Sequence, residues 1–168
     1  MMTDSNARKG TVTLALAAGL LTGCLFSGSG QAMMVAMSVE QLAGTADTIV
    51  VGTVLEQTSA WNADRSAIHT DVVVSVDELV KGNAAGEVVV RVAGGYIESE
   101  DIGMGVSDTP TFRDGEQVVL FLNAGAEVAT VTGQFQGKLT VTDGTVAMLS
   151  GEVVSIDDFI GAVRAAAN

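Results

Sequence analysis

The sequence predicts an all-β domain with minor α content: a small barrel flanked by a short N-terminal helix and a C-terminal helix. Three observations carry that reading. Runs rich in β-branched residues recur at short spacing, from Thr48-Ile49-Val50-Val51 to Thr145-Val146, and such residues fit a pleated, half-buried surface. Ile68 to Leu79 alternates between two faces, as a strand with one mostly apolar side does. Helix-start signals stand near the two ends of the predicted domain, at Ser38 and at Ser155. With about seven strands, closing the sheet into a barrel removes its exposed edges.

The first 32 residues read as an export signal. Arg8 and Lys9 form a basic start, and Thr11 to Phe26 carries no charge. That run is roughly 16 residues long, short of the ~20 a membrane-spanning helix needs. Ser27-Gly28-Ser29-Gly30-Gln31-Ala32 then supplies small residues. Two processing readings stand. In one, cleavage follows Ala32. In the other, Leu21-Thr22-Gly23-Cys24 resembles a bacterial lipobox and Cys24 becomes the lipidated N-terminus, although Leu25 and Phe26 prolong the apolar run past it. The expected organisation is a signal peptide over 1–32 and a single barrel domain over 33–168. The expected location is secreted or extracytoplasmic, with lipid anchoring in the cell envelope as the variant.

Met33 to Met37 forms an apolar arm. Ser38-Val39-Glu40-Gln41 has the spacing of a capping box, which predicts a short helix over Val39 to Thr45. Ala46-Asp47 turns into a buried strand from Thr48 to Leu55, with Gly52 marking a bulge or bend. Gln57 to Arg65 is polar and holds the only tryptophan, Trp61. The long strand to Leu79 ends at the turn Lys81-Gly82-Asn83, and Glu87 to Ala93 is the next strand. Gly94-Gly95 breaks it, and a flexible acidic connection is expected to run to Pro110. Gln117 to Leu122, Glu127 to Thr132, Gly137 to Thr142 and Thr145 to Leu149 read as four further strands. Asp143-Gly144 is a strong two-residue hairpin signal. Ser155 caps a final helix with Asp157 and Asp158 in its first turn. Phe159, Ile160 and Val163 share the face that should meet the sheet.

The chain has 168 residues, one cysteine and a formal charge of −12. Without the leader's Asp4, Arg8 and Lys9 the charge is about −13. Such a surface repels phosphate backbones and anionic lipid, so nucleic acid is an improbable partner. Membrane contact is expected only through the signal or a lipid anchor. With no cysteine beyond Cys24, disulfide scaffolds and thiolate metal sites fall away.

Few residues suggest chemistry. His69 is the only histidine, no Gly-x-Ser-x-Gly turn accompanies it, and zinc normally needs several such ligands. It reads as a surface strand residue. Glu98, Glu100, Asp101 and Asp108, with Asp114 just beyond, could offer oxygens to calcium, the one cofactor considered. They carry no Asp-x-Asp-x-Asp-Gly pattern and read first as a solvated acidic loop. A glycosidase pair would also need an aromatic-lined cleft, and aromatics are 4% of the chain. Met33, Met34 and Met37 suit apolar packing better than copper. Trp61 could anchor a partner or plug one end of the barrel. Together with Gly94 and Gly95 at the loop's start, it forms the candidate partner-binding set.

Several stretches resemble a set of uncharacterised exported bacterial proteins. They are Ser38-Val39-Glu40-Gln41-Leu42, Ala46-Asp47 through Val54, Asp77-Glu78-Leu79-Val80-Lys81-Gly82, Gly94-Gly95, Pro110-Thr111-Phe112, Gly115 through Leu122 and Gln136-Gly137-Lys138. More distantly, Ala46-Asp47 through Lys81-Gly82 is similar to the netrin-like domain of tissue inhibitors of metalloproteinases. That resemblance implies an OB-like barrel with flanking helices. Those inhibitors place an N-terminal cysteine on the protease zinc, a mechanism this chain cannot share without a cysteine after position 24. The resulting expectation is an exported, non-catalytic binding module with an extracytoplasmic protein partner, modulation of a secreted peptidase being one form of it. An acidic calcium-responsive envelope module and a hydrolase with an unrecognised site are the alternatives.

Overall fold

The computed structural model describes residues 36–167. The predicted export signal, Cys24 and the methionines at 33 and 34 lie outside the described residues.

The first helix, α1 (Val39–Thr45), starts where the capping box places it. Ser38 Oγ accepts from the Gln41 N–H, and Gln41 Oε1 accepts from the Ser38 N–H. Ten strands follow: β1 (Thr48–Trp61), β2 (Ile68–Lys81), β3 (Glu87–Ala93), β4 (Gly95–Ile97), β5 (Ile102–Met104), β6 (Gln117–Asn123), β7 (Thr130–Val131), β8 (Lys138–Thr142), β9 (Thr145–Ala147) and β10 (Val153–Ser155). The chain then enters α2 (Ile156–Ala167), with Ser155 Oγ accepting from the Asp158 N–H at its start.

The main sheet runs β10-β9-β8-β6-β1-β2-β3, with β7 paired to β6. Its strand pairs are antiparallel, while β4 and β5 form a separate hairpin. As a ladder, this order is an open path among the described residues. One contact reaches across it. Ala129, just before β7, makes a parallel bridge to Val90 of β3. The Arg91 N–H donates to Ala129 O, and the Ala129 N–H donates to Val89 O.

The first half of β1 and the middle of β6 are buried on both faces, which explains why these stretches are continuous apolar runs rather than alternating ones. Val50 and Val54 of β1, with Val118, Leu120 and Leu122 of β6, pack against Val72, Val74, Val90 and Phe112. Ile49 and Val51, with Val119 and Phe121, face the helices, where Leu42, Phe159, Ile160 and Val163 cover them. The Phe121 and Phe159 rings meet edge to face at 6.4 Å. The expected inward face of the last helix is thus the one it buries. On β2, Ile68, Thr70, Val72 and Val74 are buried and the intervening residues are not, as the alternation predicts.

The elements differ from the sequence reading in four places. β1 continues through the polar segment to Trp61, because β2 supplies a ladder partner for every residue from Glu56 onward. This distal half is largely exposed, so its side chains stay polar while its backbone stays extended. The segment after Gly94-Gly95 is an ordered hairpin, β4–β5, with a single 3₁₀ turn at Glu98–Glu100. β7 is only two residues long, and an additional short strand, β10, precedes the last helix. Asp143 and Gly144 both have positive φ, at 49° and 71°, as a two-residue hairpin turn requires.

Candidate functional site

The predicted partner-binding residues converge at one end of the sheet, where the β1–β2 and β4–β5 hairpins meet. Trp61 closes β1. Its Nε1 donates to the Glu100 carboxylate at 3.2 Å, and the Arg65 guanidinium lies 5.2 Å from the ring centre. Arg65 also pairs with Glu100 at 2.8 Å. An indole, a guanidinium and a carboxylate are therefore locked together across the two hairpin tips. Asn62 fixes the intervening turn by accepting from the Ser66 and Ala67 N–H groups.

Gly94 and Gly95 form the root of the second hairpin, and both have positive φ. Thr70 Oγ1 donates to Gly94 O, Ser59 Oγ lies 2.9 Å from Thr70 Oγ1, and the Tyr96 N–H donates to Ser59 Oγ. A Cβ on Gly95 would run into both hydroxyls. The glycine pair is therefore demanded by a close backbone approach. On the hairpin, the Tyr96 hydroxyl donates to Asp101, which holds its phenol above the usual tyrosine range. Tyr96, Ile102 and Val106 are 53%, 40% and 44% exposed.

Beneath the hairpin root is a cleft of about 300 Å³, with Val92, Met104, Pro110 and Phe112 among its apolar walls and Gln57 and Thr70 among its polar ones. A neighbouring cleft of about 210 Å³ shares Val92, Ala93, Val106, Thr109 and Pro110 with it. It opens between Arg91–Ala93 of β3 and Thr130–Val131 of β7. Phe112 is held from behind by an ion pair. Lys138 Nζ sits 5.0 Å from its ring centre and 2.7 Å from Glu116 Oε1, with both charged side chains only 10% exposed. Burial pushes the Glu116 carboxyl up. Hydrogen bonds from Lys138, Thr140 and the Arg113 N–H, with the lysine's charge, outweigh it and hold the carboxyl below the ordinary range.

The acidic residues do not act as one group. Glu100 is taken by Trp61 and Arg65, Asp101 by Tyr96, and Asp114 by Gln57. Asp108 lines the smaller cleft. Among the described residues, no group of three or more His, Cys, Asp or Glu side chains is placed to hold a metal ion. His69 stands half-buried on β2 opposite Ala60 and Ala93.

Sequence reasoning missed Arg65, Tyr96 and Ile102. One signal could have found Tyr96 and Ile102. Gly94-Gly95 and Gly103-Met104-Gly105 bracket a short segment, which is the pattern of a hairpin rooted on glycines rather than of a free loop. No protein-family model matches the chain, and no curated protein matches it.

Proposed function

We propose that the protein is an exported, non-catalytic binding module that engages an extracytoplasmic protein, with a secreted peptidase as the partner class. The observation that carries this reading is the Trp61–Arg65–Glu100 cluster beside exposed Tyr96 and Ile102. Tryptophan, tyrosine and arginine dominate interface hot spots because they combine large apolar area with a polar handle. Here they are already ordered by hydrogen bonds before any partner arrives, which lowers the entropic cost of association. Export rests on the leader pattern of residues 1–32.

An OB-like, netrin-like barrel belongs to the same reading. It is supported by the Val90–Ala129 bridge, which brings β3 next to the β6–β7 pair and encloses the Val50, Val72, Val90 and Leu120 core. Fold likeness carries no activity by itself, so the binding reading rests on the cluster.

The test is comparative capture. The wild-type protein and Trp61→Ala are immobilised and exposed to the host's secreted and envelope fractions. Retention of a peptidase by the wild type and its loss with Trp61→Ala is the expected result. Equal retention by both, or no retained peptidase, overturns the reading.

A further inference from the structure

Strand β3 ends the main sheet, and among the described residues only the bridge to Ala129 covers its outer edge. The register with β2, together with the bond from the Gly94 N–H to Ile68 O, turns the backbone groups of Val88, Val90 and Val92 toward β2. Those of Glu87, Val89, Arg91 and Ala93 point the other way. Among the described residues, Val89 C=O and Arg91 N–H are satisfied there, both by Ala129. A parallel ladder would continue from Arg91 C=O to Val131 and from Val131 to the Ala93 N–H. It does not, because β3 and β7 splay apart, and the smaller cleft fills the split. Arg91 C=O and Ala93 N–H therefore open onto that cleft in strand geometry. They match one residue of an added extended chain.

The charge around the split selects the chain that fits. Asp108, on its wall, has a carboxylate with no hydrogen bond or ion pair among the described residues. The nearest cation, Arg91, is turned onto Asp71 through two bonds of 2.6 and 2.7 Å. Elsewhere among the described residues, Arg65, Lys138 and Arg164 are also held in ion pairs, Lys81 is bound to helix carbonyls, and Arg113, exposed and outside any ion pair, is not among the residues lining the split. The field at the split is thus negative, and Val92, Val106 and Pro110 give it apolar walls.

We propose that the gap between β3 and β7 is a slot for an extended basic peptide segment of the partner protein. Its backbone pairs with Arg91 and Ala93, its apolar side chain lies against Val106 and Pro110, and its cation reaches Asp108. The inference rests on the binding-module reading and specifies what that module takes.

The probes are two capped pentapeptides, one alternating valine and lysine, the other valine and glutamate. They are titrated to about 1 mM, where weak contacts are visible, while backbone amide resonances of the full protein are followed. The lysine peptide is expected to shift Arg91, Val92, Ala93 and Val106, and the glutamate peptide is not. Ala93→Pro removes the outward donor without breaking a β2 bond, as an edge strand tolerates, and should weaken binding at least tenfold. Asp108→Asn keeps a residue that accepts the positive φ of 61° at this position. It should weaken binding several-fold, so the proposal stays testable even if the proline variant fails to fold. No shift with either peptide, equal shifts with both, or shifts confined to other surfaces overturns the slot. The capture experiment separates the two proposals. A peptidase retained equally by wild type and a folded Ala93→Pro removes the slot and leaves the module. Lysine-peptide binding at Arg91–Ala93 without any retained peptidase does the reverse.

Discussion

Trp61 and Glu100 are 39 residues apart in sequence, yet the indole N–H of one rests on the carboxylate of the other. This bond joins the end of β1 to the tip of the β4–β5 hairpin, and Arg65 reinforces it from the side.

The contact has a direct optical readout, because Trp61 is the only tryptophan. Glu100→Ala should shift its emission to longer wavelength and raise its acrylamide quenching. Amides of Ile97 and Ile102 should exchange faster. Global stability should change by under about 1 kcal/mol, since exposed ion pairs contribute little. Unchanged emission and exchange would show that the hairpin is held by its glycine root alone.

Glu116 and Lys138 form the most enclosed ion pair described, at 10% exposure on both sides. Glu116→Gln leaves a lysine without its charge partner and should cost about 3 kcal/mol at pH 7. The folded carboxyl titrates below its unfolded counterpart. Its contribution is therefore complete above an unfolded value near ~4.3 and is lost as pH falls through the lower folded value. Urea unfolding at neutral and at strongly acidic pH should show the wild-type advantage narrowing at the acidic end. A gap independent of pH would contradict the assignment.

Two glycines should respond in opposite directions. Gly95→Ala forces a side chain into Ser59 and Thr70 at φ 145° and should destabilise by about 2 kcal/mol. Gly161 lies within α2 with open space where a Cβ would stand. Gly161→Ala should stabilise by about 0.5–1 kcal/mol, the usual helix-interior difference. Thermal unfolding midpoints of the two variants should fall on opposite sides of the wild type.

Lys81 ties β2 to the end of α1. Its Nζ donates to Ala43 O at 2.7 Å and Ala46 O at 2.8 Å, carbonyls at the helix C-terminus. Lys81→Met keeps the aliphatic stem and removes the bonds, at an expected cost of about 1–2 kcal/mol. Hydrogen exchange should accelerate at Leu42 and Ala46, whose N–H groups close that helix. Protection equal to the wild type would mean that packing of Leu42 alone holds α1.

Local chemistry was legible without coordinates. The capping box at Ser38, the alternation along β2, the Asp143-Gly144 turn and the buried face of α2 all follow from residues within a few positions of one another. The extension of β1 was not legible, because polar side chains from Gln57 to Ser59 hide an extended backbone whose partner lies beyond the turn. The β4–β5 hairpin was masked in the same way by its glycines and acids.

By itself, the sequence determined a mostly β domain between two helices, the acidic surface and the face that β2 buries. Only the tertiary structure decided that Trp61 meets Glu100, that Glu116 meets Lys138 beneath Phe112, and that β3 is left half-paired beside Ala129. The division has one physical cause. Caps, turns and periodicity are set by neighbours along the chain, whereas hydrogen bonds across a sheet depend on which distant strands the core brings together.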